Sequence, residues 1–262
     1  MNVIVCVKQV PDTTEVKIDP KTGTLIREGI PSIINPDDKN ALEEVLRLKD
    51  KYEDVNVTLV CMGPPQAEVA LREALSMGAD RAILVSDRAF AGADTLATSK
   101  TIAATIKKVG NFDLIFCGRQ AIDGDTAQVG PQIAEHLGLP QVTYVKKVDV
   151  NGNRLTVERS LEDGYEVLSL NMPCLLTAIK ELNEPRYMSV KKIFESYRDK
   201  TVELWNAADI GIDLTQTGLA GSPTSVFKSF TPAPKGKGTV YNNGDLETVQ
   251  EVVSNVRVKY NF

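Results

Sequence analysis

The residue types best suited to binding chemistry lie in one glycine-rich stretch, residues 118–131 (GRQAIDGDTAQVGP). This stretch follows an apolar strand and leads into a helix that we predict from about Thr126 to Leu137. Glycines let backbone N–H groups approach a ligand closely, and a helix N-terminus offers unpaired donors and a positive dipole end. With the Thr126 hydroxyl and the Gln128 amide beside them, these groups predict a phosphate or pyrophosphate site. An ordinary glycine-rich strand-to-helix loop is the alternative, because the spacing matches neither common phosphate motif.

Two carboxylates in this stretch, Asp123 and Asp125, would repel an anion at short range. We therefore expect them to turn away, to cap the helix, or to pair with Arg119. A smaller stretch of the same form places Asp94 and Thr95 at the start of another predicted helix. Taken alone, that pair is typical of a simple helix cap.

Other kinds of site are disfavoured by the cysteine and histidine content. The four cysteines are more than fifty residues apart and end apolar runs, which is typical of small buried hydrophobes: Cys6, Cys61, Cys117 and Cys174. The single histidine, His136, has no second histidine to pair with, and it lies late in a predicted helix. Metal chemistry and acyl transfer by a Ser-His-Asp triad are therefore not expected.

Composition places the chain among ordinary globular proteins. Its 262 residues are 42% hydrophobic and 25% charged, and the net charge of −5 disfavours a nucleic-acid-binding surface. No run of eighteen apolar residues is available to span a membrane. The sequence opens directly on an apolar strand without a signal-peptide cleavage site, so we expect a cytoplasmic protein.

The first 140 residues alternate short apolar strands with amphipathic helices. The strands show no polar alternation, which predicts a parallel sheet covered by helices on both faces. Ligands of such sheets bind beyond the carboxyl ends of the strands. We predict strands at about 2–10, 57–62, 82–85 and 113–117, and helices after Asn35-Pro36 and at about 67–77, 94–109 and 126–137.

The second half changes character. Asn151-Gly152 and Asp163-Gly164 predict antiparallel hairpins that extend the sheet, and a further hairpin is predicted at 16–27. From about residue 183 the pattern becomes irregular. A last helix carries an apolar stripe, which predicts an arm that packs on another subunit or, alternatively, folds back on its own domain: Leu246, Val249, Val253, Val256 and Tyr260. The predicted fold class is α/β, a doubly wound and mostly parallel sheet with helices on both faces, an antiparallel hairpin extension and a C-terminal arm.

Several motifs in order along the chain resemble one known family. The most specific runs from Val157 through Glu166 (VERSLEDGYE) to Pro173-Cys174-Leu175-Leu176-Thr177. Supporting matches lie at residues 7–10, 35–36, 62–64, 77–80, 118–123 and 182–187. Over essentially its whole length the chain resembles the β subunit of an electron-transfer flavoprotein.

The resemblance implies a heterodimer with an α subunit that carries an FAD. In one branch of the family the β subunit holds a structural AMP. In the bifurcating branch it holds a second FAD, which accepts a hydride from NADH and passes electrons to ferredoxin or flavodoxin and, through the α-subunit FAD, to an acyl-CoA dehydrogenase. The cofactor-binding residues that the resemblance implies are Cys6, Asn35, Met62, Gly63, Asp94, Thr95, Asp123, Gly124, Asp125, Thr126, Ala127, Gln128, Val129, Gly130 and Pro131.

The loop at 123–131 resembles the bifurcating branch more than the AMP-holding one, and so does the segment at 92–95. Small residues at Gly124 and Ala127 leave room for a pyrophosphate. No catalytic acid or base is expected, because hydride transfer belongs to the cofactors. An ATP-pyrophosphatase-type ligase is the alternative from another class, but its phosphate loop is missing after the first strand, where Lys8-Gln9-Val10-Pro11-Asp12 stands.

The segment from Asn183 to Ile193 resembles the family's recognition loop for the partner dehydrogenase. Its implied contact residues are Glu184, Pro185, Arg186, Tyr187 and Val190, where Val190 replaces a leucine and residues 195–198 replace a lysine run. We therefore divide the chain into a nucleotide-binding domain at 1–182, the recognition loop and following segment at 183–200, and the arm at 201–262.

Overall fold

The computed structural model describes residues 1–12, 31–227, 236 and 238–260. The chain forms two compact units, Met1–Phe227 and Lys228–Phe262. The hairpin predicted at 16–27 lies outside the described residues.

The larger unit is built on a nine-stranded sheet in the order β11-β5-β4-β1-β6-β10-β7-β8-β9, with β2 and β3 forming a separate antiparallel pair. The strands β11, β5, β4, β1, β6, β10 and β7 run parallel, and β7 to β9 form antiparallel hairpins. The strand bounds are β1 Asn2–Cys6, β2 Gln9–Pro11, β3 Ser32–Ile34, β4 Asn56–Met62, β5 Arg81–Val85, β6 Leu114–Gly118, β7 Gln141–Asn151, β8 Arg154–Ser160, β9 Tyr165–Asn171, β10 Cys174–Ala178 and β11 Val202–Trp205. The predicted α/β class and both later hairpins are confirmed.

Helices cover both faces of the sheet. One apolar core joins α1 and α2 to residues such as Leu59 and Phe116, and the other joins α3, α4 and α6 to residues such as Ile4 and Ile115. The helices are α1 Pro36–Lys51, α2 Glu68–Met77, α3 Thr95–Val109, α4 Val129–Leu137, α5 Val190–Arg198, α6 Ala207–Ile210 and α7 Leu246–Tyr260. Short 3-10 turns lie at Pro65–Ala67, Arg88–Phe90, Lys180–Leu182 and Leu214–Gln216.

Outside the glycine-rich loop, the elements differ from the prediction at two places. The first strand was expected to run to residue 10, but β1 ends at Cys6 and a separate strand, β2, pairs with β3. The chain after 183 was expected to be irregular, but it forms α5 and the edge strand β11. Ser189 caps α5 by accepting a bond from the Lys192 N–H, and β11 pairs in parallel with β5. Both elements are short, and tertiary partners stabilise them: Ser76 Oγ of α2 donates to Ser196 Oγ of α5 at 2.9 Å, and β11 lies beside β5.

The smaller unit contains α7, whose predicted apolar stripe is exposed. The exposed fractions along it are Leu246 73%, Val249 49%, Val253 46%, Val256 38% and Tyr260 64%. In the described part of the chain, no helix has the length and apolar character needed to cross a membrane.

The last residue of β6 has no space for a side chain. A Cβ built on Gly118 would lie 2.3 Å from Asp38 Oδ1, 2.6 Å from the Asp38 nitrogen and 2.7 Å from the Asp37 carbonyl carbon. We expect Gly118→Ala to push the first turn of α1 away from the sheet and to lower the free energy of unfolding by about 1–3 kcal/mol.

Urea unfolding followed by circular dichroism measures this loss. Gly164→Ala is the matched control, because a Cβ at Gly164 meets nothing within 4 Å; we expect a change within about 0.5 kcal/mol there. Equal stability losses in the two variants would contradict the prediction.

Candidate functional site

The site lies where the carboxyl ends of three parallel strands meet. Strand β1 lies between β4 and β6, and these strands end at Cys6, Met62 and Gly118. From β1 the chain continues to β4 on one side, whereas from β6 it continues toward β10 and β7 on the other. The chain thus leaves the sheet in opposite directions between β1 and β6, which is where open α/β sheets form their binding crevice.

A buried carboxylate joins the two strands that border this crevice. Asp38 Oδ2 accepts a hydrogen bond from the Lys8 N–H at 2.8 Å, and Oδ1 accepts one from the Gly118 N–H at 2.8 Å. Burial raises the pKa of Asp38 to about 7, although the bonds from Lys8 and Gly118 oppose that rise. The first turn of α1 thus fixes the spacing between β1 and β6 at the site.

Asn35 attaches the glycine-rich loop to the same turn. Its Nδ2 donates to the Gln120 carbonyl at 2.8 Å, and its Oδ1 accepts from the Ile122 N–H at 3.1 Å. Its backbone N–H donates to the Lys8 carbonyl at 2.9 Å. Asn35 occupies the N-cap position of α1, as expected, but its side chain makes no cap bond. It is fully buried and orders the loop instead.

The acidic loop residues have partners other than the expected one. Asp123 Oδ1 lies 2.6 Å from Lys8 Nζ, and Asp125 Oδ1 accepts from Gln120 Nε2 at 2.8 Å. Arg119 instead faces Asp37, with Nε 3.5 Å from Oδ2. The proposed pairing of these aspartates with Arg119 is therefore wrong, because α1 supplies the carboxylate that Arg119 faces and β1 leads into the lysine that Asp123 meets.

The helix after this loop begins three residues later than predicted. Asp125 and Ala127 have φ values of 49° and 52°, in the left-handed region, which a right-handed helix cannot include. Helix α4 therefore starts at Val129, and Thr126 lies in the exposed loop before it. Gln128 holds the N-cap position but makes no side-chain cap bond. The first helical N–H groups, which have no partner within the helix, are thus those of Val129 and Gly130, and not those near Thr126.

The two helix starts singled out in the sequence lie side by side. Thr95 Oγ1 donates to Gln128 Oε1 at 3.0 Å, and Gln132 Nε2 donates to Thr95 Oγ1 at 3.4 Å. Asp94 caps α3 by accepting from the Ala97 N–H at 3.0 Å, and its other oxygen accepts from the Thr224 hydroxyl at 2.8 Å. Thr95 and Gln128 thus contact each other at the starts of α3 and α4, whereas the Asp94 carboxylate is occupied by structural bonds.

Two glycines of the loop differ in what surrounds them. A Cβ at Gly130 would lie 2.7 Å from Thr177 Cγ2, so Gly130 allows α4 to pack closely on β10. A Cβ at Gly124 meets nothing within 4 Å, and the backbone there borders open space. The uncapped start of α4 and the open backbone at Gly124 fit a phosphate or pyrophosphate group. Cys6 is buried and Met62 half-buried at the strand ends, with Gly63 donating its N–H to the Val85 carbonyl at 3.1 Å.

The cysteines are confirmed as buried free thiols. Burial raises the pKa of Cys61 and of Cys174 to about 12, so neither is a thiolate near neutral pH. No group of three His, Cys, Asp or Glu side chains that could hold a metal ion occurs among the described residues.

Two residues that organise the site were missed as site residues. Lys8 follows β1 and forms the ion pair with Asp123, and Asp38 joins the strand ends. In sequence, Asp38 is an acidic residue in the first turn of a helix, which ordinarily indicates only a favourable dipole interaction. Its burial became apparent only from the packing of α1 on the strand ends.

The comparisons with known proteins agree with one another. The family model described as "Electron transfer flavoprotein domain" matches residues 22–210. The chain is 63% identical over 260 residues to "Electron transfer flavoprotein subunit beta" of Clostridium acetobutylicum, covering 99% of each chain. It is 55% identical over 261 residues to "Caffeyl-CoA reductase-Etf complex subunit CarD" of Acetobacterium woodii, again covering 99% of each. It is 49% identical over 267 residues to "Acryloyl-CoA reductase electron transfer subunit gamma" of Anaerotignum propionicum, with 99% of each covered.

The Asp38 carboxyl gives the fold a predictable pH dependence. Its pKa is about 7 in the folded chain and 3.8 in the reference state, so the folded chain holds the proton more tightly. The stabilisation that protonated Asp38 gives the folded chain is fully present below about pH 4 and is lost as the pH rises toward 7. Relative to Asp38→Asn, we expect the wild-type free energy of unfolding to fall between pH 4.5 and 7.5, by at most about 1.4 kcal/mol per pH unit.

Urea titrations of both proteins at each pH test this expectation. Asp38→Asn also loses one of two hydrogen-bond acceptors, which shifts its free energy of unfolding by the same amount at every pH. The decisive quantity is therefore the difference between the two proteins in how steeply the free energy of unfolding changes with pH. Parallel pH profiles of the free energy of unfolding for the two proteins would contradict a raised pKa for Asp38.

Proposed function

Because the chain belongs to the electron transfer flavoprotein family as a β subunit, we propose that it binds FAD in the crevice between β1 and β6. In this proposal the FAD accepts a hydride from NADH, and its electrons pass by two routes. One route leads to ferredoxin or flavodoxin. The other leads through the FAD of an α subunit to an acyl-CoA dehydrogenase. The observations that carry the proposal are the uncapped start of α4 at Val129 and the open backbone at Gly124, five residues earlier in the same loop.

Bound FAD supplies the hydride acceptance and the one- and two-electron steps. The protein contributes position and electrostatics. The N–H groups of Val129 and Gly130 at the start of α4 would face the pyrophosphate, and the Lys8 ammonium neutralises the nearby Asp123 carboxylate, which would otherwise repel it. Asn35 and Asp38 fix the loop and the strand ends on which these groups stand.

The names of the relatives from Acetobacterium woodii and Anaerotignum propionicum support the proposed kind of electron acceptor. Both are named for reductase complexes of CoA thioesters. We propose that this chain likewise delivers electrons to an acyl-CoA dehydrogenase or reductase, which docks on the loop containing Glu184, Pro185, Arg186, Tyr187 and Val190. Tyr187 is 97% exposed and Val190 71% exposed, as a docking contact requires. The cytoplasmic location stays a prediction.

The alternative within the family is a β subunit that holds a structural AMP, with electron transfer carried by the α-subunit FAD alone. Gly124 and Ala127 favour FAD, because these small residues leave room for the second phosphate.

Flavin counting on the purified heterodimer separates the two possibilities. We expect two FAD molecules per heterodimer and rapid bleaching of flavin absorbance by NADH. One FAD together with one AMP, and no reduction by NADH, would show that the AMP-holding role applies.

A charge placed at the start of α4 tests the location of the pyrophosphate. We expect Gln128→Glu to fold normally, since it keeps the oxygen that Thr95 contacts and adds a favourable dipole interaction of about 0.3–1 kcal/mol. At about 5 Å and an effective dielectric of about 20, each unit charge on the pyrophosphate would cost about 3 kcal/mol. The heterodimer should therefore lose the β-site nucleotide, with affinity at least a hundredfold weaker, and keep the α-subunit FAD.

Gln141→Glu is the matched control. Gln141 is exposed at the first residue of β7, at the amino-terminal ends of the parallel strands and so opposite the site, and the change adds the same charge. Full nucleotide content in both variants would show that the pyrophosphate lies elsewhere.

The exposed stripe of α7 predicts the contact with the α subunit. Burying each of its apolar side chains would contribute about 1.5–3 kcal/mol. We expect removal of residues 240–262 to weaken the heterodimer without unfolding the nucleotide-binding unit. Pull-down titrations together with circular dichroism measure both effects, and equal affinity for the full-length and shortened chains would end this assignment.

A further inference from the structure

The segment that leads into the docking loop is tied to α1 by two sets of polar contacts. In the first, Asn183 Nδ2 donates to the Asn40 carbonyl at 3.0 Å and to Glu44 Oε2 at 3.0 Å. Asn40 Nδ2 in turn donates to the Asn183 carbonyl at 2.7 Å. These bonds fix the backbone at the start of the loop.

The second set joins Arg186 to Glu43. The guanidinium donates through Nε to Glu43 Oε2 at 2.8 Å and through a terminal nitrogen to Oε1 at 3.1 Å, and the Arg186 backbone N–H donates to Oε2 at 3.0 Å. A terminal nitrogen of Arg186 also reaches Asp50 Oδ2 at 2.7 Å. The hydrogen bonds to Glu43 raise the pKa of Arg186. A paired-donor geometry of this kind fixes orientation as well as distance.

Glu43 is hidden, whereas the residues after Arg186 are not. The Glu43 side chain is 4% exposed and so has almost no surface to offer a docked protein. Tyr187 follows Arg186 directly and is 97% exposed, and Val190 begins α5 at 71% exposed. The chain is therefore held firmly at Arg186 and presents its apolar side chains immediately beyond that point.

We propose that Glu43 and Arg186 are positioning residues for the docking of the acyl-CoA dehydrogenase. The pair sets the place and direction in which Tyr187 and Val190 meet the partner, and Glu43 acts without touching that partner. This inference rests on the proposed function and adds the residues that determine the geometry of the docking loop.

The chain offers a matched control for this pair. Arg47 also contacts the Glu43 carboxylate, with Nε 3.2 Å from Oε1, but it lies one turn along α1 and not in the loop. Arg186→Gln and Arg47→Gln remove the same charge from the same carboxylate. They differ in that only Arg186→Gln frees the loop.

The experiment measures electron transfer from NADH through the purified heterodimer to an acyl-CoA dehydrogenase of the same organism, at varied dehydrogenase concentration. We expect Arg186→Gln to raise the KM for the dehydrogenase by about tenfold with kcat nearly unchanged. Glu43→Gln should raise it by a similar factor, and the double variant should be little worse than either single one. Arg186→Lys should lie between wild type and Arg186→Gln, because it keeps the charge but not the paired geometry.

Three further readouts separate positioning from a general loss of structure. In the variants, the bound nucleotide content and the rate of flavin reduction by NADH should match those of Arg47→Gln, and circular dichroism at the assay temperature should show each variant folded. A KM equal to wild type in Arg186→Gln, or an equal rise in Arg47→Gln, would overturn the inference.

An effect in Arg186→Gln that Glu43→Gln does not share would assign Arg186 a direct contact and would also overturn it. If the wild-type heterodimer passes no electrons to the dehydrogenase at all, the proposed function fails first, and the inference falls with it.

Discussion

The contact on which the candidate site depends is the one between the Asp38 carboxylate and the ends of β1 and β6. The N–H of Lys8, two residues after β1, and the N–H of Gly118 at the end of β6 donate to the same buried side chain at 2.8 Å each. The approach is so close that Gly118 admits no Cβ. Because Asn35 lies three residues earlier and bonds to the backbone at Gln120 and Ile122, the same helical turn also fixes the glycine-rich loop. The contacts made by α1 therefore determine the shape of the crevice more than the loop that borders it does.

The sequence predicted the parts of this arrangement that follow from local pattern. Apolar strands without alternation and helices on both faces require a covered parallel sheet, and Asn-Gly and Asp-Gly turns define the hairpins. The start of α4 could not be predicted, because residues at positive φ such as Asp125 and Ala127 carry no distinctive sequence pattern. The pairing of Asp123 with Lys8 was equally hidden, since it joins residues far apart in the chain. α5 and β11 were missed for the same reason, as their partners are distant in sequence.

Helix α1 shows most clearly what a periodicity argument omits. Its apolar residues Ala41, Leu42, Val45 and Leu46 enter the core, as the pattern predicts. Polar residues of the same helix are buried as well, and each has a specific partner: Asp37 with Arg119, Asp38 with two N–H groups, Asn40 and Glu44 with Asn183, and Glu43 with Arg186. An amphipathic pattern assigns such residues to solvent, because it holds no information about distant donors.

The order of these partners along α1 has a physical consequence. Contacts with the strand ends and the glycine-rich loop come from its first turn, and contacts with the segment at 183–186 come from the turns that follow, as far as Asp50. Removing one partner leaves a buried polar group without its bond, which costs more than the bond itself contributes. A helix is stiff over these few turns, so the candidate cofactor site and the docking loop keep a fixed separation along it. Neither end of α1 can shift without disturbing buried partners at the other, so this one helix sets the positions of both the strand ends and the segment at 183–186.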